Sequence, residues 1–288
     1  EKGDDNEQNE DRPVPWSSLI AVISKADNVE RRNIMRNTFE AANLGGNFSL
    51  RFVLCKAPPA GSGEGADTLV LPCEEGFGAR LLTSKTHQTM DAFRKYFPQY
   101  SLLIMAEDDT FVAWHRLQLF LESFSPSRDP DHYKYAYMGI AKGAGEPVNR
   151  VVGSPTYQPL TTYNKETYPA YMESTFVILG TEVVHRILGE HVPEHYVLSN
   201  RDQALGVWVQ AVKNLGVGVH YVSLPGLHKV GSGEWLGCGK KWEDYPFLVQ
   251  HGVAGDTAQC LAKADVKNDA NRSIEKCYPE CKDTTPFR

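Results

Sequence analysis

Three adjacent carboxylates follow an unbroken apolar run in the middle of the chain. The run ends at Met105, and after Ala106 come Glu107, Asp108 and Asp109. Like charges at this spacing repel and raise one another's pKa, so a positive partner is expected beside them. Hard divalent cations such as Mg²⁺ and Mn²⁺ take oxygen ligands from carboxylates and from substrate phosphates. The segment therefore predicts a site for a metal ion and a diphosphate.

A simpler interpretation of the same three acids stays open. Acidic residues after a strand often cap the next helix or solvate a turn, with no role in chemistry. The position in the fold favours the metal, because ligands of open α/β sheets bind at the carboxyl ends of strands. The next question is therefore which elements place the acids there.

Strand and helix patterns alternate over the first 125 residues. Apolar, β-branched segments predict strands, and segments with one apolar face predict helices. The predicted order is strand Ser18–Ser24, helix Asn28–Leu44, strand Ser49–Cys55, helix Gly76–Phe97, strand Ser101–Asp109 and helix Trp114–Phe124. We expect Asp27 or Asn28 to start the first helix. The Gly- and Pro-rich residues 56–67 predict a surface loop. This alternation indicates an α/β fold with a parallel sheet covered on both faces.

The rest of the chain is less regular. Past residue 130 the sequence mixes short strand-like segments with turns and many aromatic residues, which predicts a second half that builds a substrate pocket on the sheet. The same aromatic residues are equally typical of a core. With 288 residues and 41% hydrophobic content, we favour one large domain over two small ones. Residues 1–15 are acidic and polar and predict a disordered stem remnant.

Charge and hydropathy exclude two classes of function. A formal net charge of −6 with no long basic run argues against a nucleic-acid surface, which needs clustered Lys and Arg. No stretch approaches the ~20 consecutive apolar residues of a membrane span. The start of the sequence lacks the apolar core of a signal peptide, so we expect a truncated or mature chain.

The cysteines and the glycosylation sequons favour an oxidising compartment. Disulfides are a better interpretation than buried thiols or a zinc site, because no second Cys/His pair at zinc spacing follows the CYPEC segment (residues 277–281). Asn47 and Asn271 begin Asn-x-Ser sequons. We expect the pair in CYPEC to be disulfide-bonded, although 15 pairings are open for the cysteines Cys55, Cys73, Cys238, Cys260, Cys277 and Cys281.

Five segments in order carry a resemblance that covers most of the chain. They resemble the motifs of the β-1,3-galactosyltransferase and Fringe family, glycosyltransferase family 31. The matching segments are ERRNIMRNTF (30–39), GFGARLLTSKT (76–86), AEDDTFV (106–112), TYPAY (167–171) and RDQALGVWVQAVKNLGV (201–217). Together they are far more specific than any one of them.

The resemblance implies a fold and an activity. The fold would be of the GT-A type, as a single catalytic domain over residues 16–288 with a nucleotide-sugar-binding half (16–125) and an acceptor-binding half with a disulfide-bonded tail (126–288). The activity would be an inverting, metal-dependent transfer of galactose or an N-acetylhexosamine from a UDP-sugar to a glycan or glycoprotein acceptor, forming a β-1,3 linkage. The location would be the Golgi or ER lumen, with a membrane anchor in a segment before this one. A catalytically inactive relative that only binds carbohydrate is the alternative.

The resemblance also implies roles for residues of the donor side. Asp109 would bind the metal, Mn²⁺ or Mg²⁺, while Glu107 would act through a water molecule and Asp108 on the ribose or the ligand shell. Arg36 and Lys85, which match the family's arginine and lysine positions, would contribute to nucleotide-sugar binding.

Two further positions follow from the resemblance, each with an alternative. Asp202 would be the general base, although Asp202 or Asn200 could instead be the N-cap of the helix that follows. A late histidine would complete the metal site, and both His251 and His228 are candidates for it.

The sequence departs from the family pattern at four places. Leu81 stands where Asn is usual, and Glu107 replaces an Asp but keeps the carboxylate. Residues Met172–Phe176 replace a glycine-rich segment, so side chains are expected on the floor of the sugar pocket. Arg201 replaces the Glu that normally precedes the base, which changes the local charge.

Overall fold

The structure is a computed structural model that describes residues 16–76, 80–124, 130–224, 228–229, 248–253, 255–267 and 277. The predicted disordered stem, residues 1–15, lies outside these ranges, and so do Asn271, Cys238 and Cys281. Among the described residues, no helix is long and apolar enough to cross a membrane.

Strands and helices alternate along the first half, as predicted. The strands are β1 (Ser18–Ile23), β2 (Phe48–Leu54), β3 (Thr68–Val70), β4 (Leu102–Glu107), β5 (Thr110–Val112), β6 (Ala136–Lys142), β7 (Tyr171–Gly180), β8 (His220–Ser223), β9 (His228–Lys229) and β10 (Val249–His251). The helices are α1 (Val29–Ala42), α2 (Leu81–Tyr96), α3 (Trp114–Phe124), α4 (Pro130–Lys134), α5 (Thr181–Gly189), α6 (Val192–His195), α7 (Arg201–Asn214) and α8 (Gly255–Lys267).

The second half is more regular than its sequence indicates. β7 has ten residues, where we expected short strands and turns. The helix expected after Asn200 or Asp202 is present as α7, with fourteen residues. A long strand is hard to recognise here, because β7 is buried on both faces for most of its length. Its sequence therefore lacks the alternation of apolar and polar residues that marks a half-buried strand.

A seven-stranded sheet forms the centre of the molecule. Its order is β3-β2-β1-β4-β7-β6-β8, and its pairs are parallel except the two that β7 makes with β4 and β6. The expected α/β fold with a mostly parallel sheet is confirmed. In β1, Leu19 and Ala21 face a core with α2, α5 and α7, while Ile20 and Val22 face a core with α1 and α3.

A small second sheet brings the end of the chain to the acidic segment. Its order is β5-β10-β9, and the antiparallel pairing of β10 with β5 sets His251 opposite Thr110. Because Thr110 directly follows Asp109, this register delivers His251 to the carboxylates although 142 positions separate the two in sequence.

An irregularity in β7 shapes the other side of the same region. Against β6 the register jumps, so that Gly139 pairs with Val177 and Ile140 with Glu173. The residues between, Ser174–Phe176, bulge from this ladder. Bulges of this kind re-aim side chains beside functional sites.

Helix α7 lies very close to the start of β7. A Cβ at Gly206 would be 2.4 Å from the Cβ of Tyr171, so only glycine allows this approach. The contact sets α7 closely against the start of β7.

Two disulfides are present among the described residues. They join Cys55 to Cys73 and Cys260 to Cys277. The expectation for Cys277 is confirmed, while its neighbour Cys281 lies outside the described residues. The first bridge ties the end of β2 to the segment that leads into α2.

Candidate active site

The acidic segment lies at the carboxyl end of β4, beside the end of β1. The parallel register pairs Ile23 with Glu107, so both strands end at one edge of the sheet. A cleft of about 380 Å³ opens there. It is lined by Ile23, Ser24, Lys25, Asn28, Arg31, Glu75, Gly76, Leu82, Lys85, Glu107, Asp108, Asp109 and His251.

Glu107, Asp109 and His251 form one cluster. The Nε2 atom of His251 is 3.1 Å from Oε2 of Glu107 and 3.2 Å from Oδ1 of Asp109. One ligand atom from each residue lies within 4.8 Å of the others, so the three could hold a metal ion. The chemistry fits a divalent cation, because Oδ1 of Asp109 is buried and accepts no well-aligned hydrogen bond.

The charges in this cluster are strongly coupled. Contacts with Asp109 and Glu107 raise the pKa of His251 to about 9. Contact with His251 lowers the pKa of Asp109. Burial by itself would raise the pKa of Glu107, but His251 and Arg201 outweigh it and lower that pKa. Both carboxylates are therefore ionised at neutral pH and available to a cation.

The rival histidine, His228, lies on the neighbouring strand. Its backbone pairs with Gln250 in the register that places Lys229 opposite His251. Its side chain is outside the part of the chain that the structure describes.

Asp108 is held by the protein itself. Its carboxylate accepts hydrogen bonds from Ser24 Oγ (2.6 Å), Asn28 Nδ2 (2.8 Å) and Arg31 Nη1 (3.2 Å). Asn28 stands at the N-cap position of α1, but its side chain does not cap the helix as expected. The bond to Asp108 uses that side chain instead, and it fixes the start of α1 beside the acidic segment.

Arg31 and Lys85 are two of the three Lys and Arg side chains among the described residues that line the cleft, the third being Lys25. Arg31 is about half exposed and its Nη1 also contacts Oδ2 of Asp109 at 3.1 Å. The amine of Lys85 is buried, donates to the carbonyl of Ser24 and lies 3.3 Å from Oε2 of Glu75. Burial lowers the pKa of Lys85.

Arg36 is not brought to the acidic cluster. Its guanidinium binds Asp67 (2.7 Å) and Glu64 (2.6 Å) and lies over the ring of Phe52. It therefore holds the 56–67 loop against the sheet and is not among the residues lining the cleft.

Asp202 occupies the first turn of α7, opposite the bulge in β7. Asn200 is the N-cap, since its side chain accepts from the backbone N–H groups of Asp202 and Gln203. Asp202 itself accepts a hydrogen bond from the hydroxyl of Ser174. Burial raises the pKa of Asp202. The cap role thus belongs to Asn200, and the Asp202 carboxylate points into the bulge instead.

Arg201 joins the two acidic centres. Its side chain is only 5% exposed and donates to Glu107 and to the carbonyl of Ser174. A continuous polar path therefore runs from the Glu107 cluster through Arg201 and Ser174 to Asp202. A family-type Glu at this position would place a second carboxylate beside Glu107.

Several contributors were missed by sequence reasoning. Asn28 and Arg31 in the start of α1, and Ser174 in the bulge, carry no motif of their own. For Arg201, the sequence showed only that it replaces the Glu of the family pattern and changes the local charge. The sequon residue Asn47 ends a short 3₁₀ turn before β2 and is half-buried.

The sequence model of the galactosyltransferase family matches residues 30–220, from the first turn of α1 to the start of β8. The chain belongs to the galactosyltransferase family. It is thus a glycosyltransferase, and the expected GT-A-type α/β fold agrees with this family and with the mostly parallel sheet. The family match includes both acidic centres and ends before His251.

Similarity to individual known proteins is low. No curated protein matches the chain significantly. One similar solved structure is a glycosyltransferase involved in glycosylation of the major capsid of PBCV-1, with 12% identity, a TM-score of 0.44 and coverage of 86% of this chain and 98% of that one. Two structures of LgtC also match. An active-site mutant is 12% identical, and the galactosyltransferase with donor and acceptor sugar analogs is 11% identical. Both have a TM-score of 0.42 and cover 93% of this chain and 98% of theirs.

Proposed function

We propose that this galactosyltransferase-family chain is an inverting, metal-dependent enzyme. It would move galactose or an N-acetylhexosamine from a UDP-sugar to a hydroxyl of a glycan or glycoprotein, forming a β-1,3 linkage. One observation carries the proposal: the candidate metal cluster and the candidate base Asp202 are separate, yet Arg201 and Ser174 join them in one polar network.

The donor side would hold a divalent cation and the diphosphate. Asp109, His251 and Glu107 would bind Mn²⁺ or Mg²⁺, which when bound neutralises charge on the leaving diphosphate. Arg31 can turn toward phosphate oxygens, because it is half exposed and, within the described ranges, its side chain contacts the carboxylates of Asp108 and Asp109. Lys85 adds positive charge deeper in the cleft.

Asp108 would organise the donor side without binding the metal directly. Three protein donors already occupy its oxygens, which favours the expected place in the ligand shell. Arg36 would act indirectly, since it holds the 56–67 loop through Glu64 and Asp67.

The acceptor side would supply the base. As the acceptor oxygen forms its bond to the anomeric carbon, its proton passes to Asp202, and the bond from that carbon to the diphosphate oxygen breaks with its electron pair leaving on UDP. Attack on the face opposite the leaving group inverts the configuration. The hydroxyl of Ser174 orients the Asp202 carboxylate for this step.

The Golgi or ER lumen is the proposed compartment. The two disulfides support it, because disulfides persist in oxidising compartments. The membrane anchor expected from the resemblance stays a prediction.

Hydrolysis of a panel of UDP-sugars, with and without a chelator, tests the donor and metal assignments together. We expect turnover of UDP-galactose or a UDP-N-acetylhexosamine that needs added Mn²⁺ or Mg²⁺ and is abolished by Asp109→Ala. Asp91→Ala, which removes an exposed carboxylate of α2, is the matched control and should keep full turnover. Full activity in excess chelator, or in Asp109→Ala, would contradict the metal assignment.

A further inference from the structure

A second pocket lies away from the acidic cleft, between the end of α7 and the segment that joins β6 to β7. Its volume is about 520 Å³, larger than the cleft. None of the residues assigned above to metal, donor or base lines it. We call it the tyrosine pocket, and its lining includes Tyr163, Tyr168, Tyr196, Asn164, Gln210 and Asn214.

The aromatic wall of the tyrosine pocket is well ordered by its own contacts. Tyr163 and Tyr168 stack nearly parallel, with ring centroids 5.3 Å apart, and Tyr196 meets Tyr163 edge-on at 6.4 Å. The backbone N–H of Gly145 donates to the carbonyl of Tyr168, and the N–H of Tyr168 donates to the carbonyl of Glu146, which holds the two segments together. Tyr163 and Tyr168 are buried and support the ring of Tyr196, which is partly exposed. A ring held in this way offers apolar contact to the C–H groups of a sugar at a small entropic cost.

The polar groups of the tyrosine pocket are mostly neutral amides. Gln210 Nε2 donates to Asn214 Oδ1 at 2.8 Å, and this bond leaves the pair with further donor and acceptor capacity. Lys165 is the one charged side chain among the described lining residues. Aromatic walls with a few amide groups suit a neutral ligand with many hydroxyls, because each amide can both donate and accept.

The pocket is built on the same elements as the acceptor side of the proposed site. Both share helix α7: Asp202 is in its first turn, and the lining positions from Val207 to Asn214 lie about 8 to 18 Å farther along at 1.5 Å per residue. They also share the β6–β7 segment, since Gly145 lines the pocket while the next residue, Glu146, accepts hydrogen bonds from Tyr171 and Gln203 beside Asp202.

We propose that the tyrosine pocket binds the distal sugar rings of a neutral oligosaccharide acceptor whose terminal hydroxyl is at Asp202. This inference rests on the proposed function, since it extends the acceptor side of that site. It assigns the enzyme a preference for acceptors several rings long.

The test compares acceptors of different length. The probes are neutral glycosides of galactose and N-acetylglucosamine with one to four rings, assayed at saturating UDP-sugar and metal. The double variant Gln210→Ala with Asn214→Ala should lower kcat/KM by about tenfold for the longer acceptors, the loss expected for one or two hydrogen bonds. The one-ring acceptor and UDP-sugar hydrolysis should be unchanged. Alanine is a good helix former, so α7 should persist.

Lys213→Ala is the matched control, because Lys213 is an exposed residue of the same helix outside the pocket. It should leave every acceptor unaffected. Equal kcat/KM for short and long acceptors in the parent enzyme, or an equal loss on all of them in the double variant, would overturn the inference.

A binding measurement separates this inference from the proposed function. Fluorescently labelled three- and four-ring probes are titrated without UDP-sugar or metal. Binding that the double variant weakens and Lys213→Ala does not would support the pocket even if no transfer occurred. Binding unaffected by the double variant would refute it even if transfer were normal.

Discussion

The donor side and the acceptor side of the site carry opposite chemistry. At the ends of β1 and β4, Arg31 and Lys85 accompany acids that are ionised or already hydrogen-bonded. At β7 and α7, Asp202 has its pKa raised by burial and a single hydroxyl as its described side-chain partner. The comparison shows how one network can stabilise a leaving anion at one end and keep a proton acceptor basic at the other.

Arg201 offsets the electrostatic effect of the donor-side carboxylate Glu107 on Asp202. Its guanidinium binds Glu107, and Glu107 would otherwise raise the pKa of Asp202 further. The residue that departs most clearly from the family pattern thus compensates a carboxylate within the site. Three substitutions, each on one side of the site, test this difference between the donor side and the acceptor side.

The largest effect is expected for Asp202→Asn. Losing a general base costs ~10²–10⁴-fold in rate, so transfer should collapse. UDP affinity should stay near the parent value, because the base acts in the transition state more than in donor binding. Initial rates of sugar transfer and calorimetric UDP titrations measure the two quantities.

Stability supplies the control for that variant. Burial favours the protonated carboxyl, so ionised Asp202 costs folding free energy at neutral pH and the neutral amide removes this cost. The melting temperature should therefore not fall. Asn200→Ala, which removes the true cap, should instead lower the free energy of unfolding by about 1 kcal/mol. Transfer within a few-fold of the parent in Asp202→Asn would mean that another carboxylate is the base.

An intermediate effect is expected for Arg31→Met. The variant removes a phosphate contact, so UDP should bind about tenfold more weakly at saturating metal. It also frees Asp108 and Asp109 from a competing cation, so Mn²⁺ alone should bind more tightly. Calorimetric titrations of each ligand test this opposite pair of changes. A fall in both affinities would show that Arg31 only holds the aspartates in place.

The smallest effect is expected for Ser174→Ala. The Ser174 hydroxyl stabilises ionised Asp202, so its removal should raise the pKa of Asp202 further. Because the base must be ionised to accept a proton, the acid limb of the kcat profile should move to higher pH. Rates at the plateau should change only a few-fold. The conservative variant Ser174→Thr keeps a hydroxyl and should restore the parent profile. If the acid limb of Ser174→Ala stays at the parent pH, the Ser174–Asp202 hydrogen bond does not control the pKa of the base.

The first half of the fold could be predicted closely from the sequence. β1, α1, β2, α2, β4 and α3 follow the predicted alternation, and α3 has the predicted bounds. These elements are predictable because strand and helix periodicities are local signals. The acidic segment falls at a strand end for the same reason. The strand β7 shows the limit of such signals, because its reversed direction and bulge depend on partners far away in sequence.

The sequence by itself determined which residue types were available: the three acids after β4, the aspartate at the start of α7, the late histidines and the family motifs. Only the tertiary structure decided which residues each of these side chains contacts. The β10–β5 register places His251 beside Asp109. Asn200 caps α7, so the Asp202 carboxylate is free to bind Ser174. Arg36 binds Asp67 in the 56–67 loop and does not reach the cleft. These outcomes depend on strand register, helix approach and competition among hydrogen-bond donors. Each of these involves residues distant in the chain, and no local pattern encodes them.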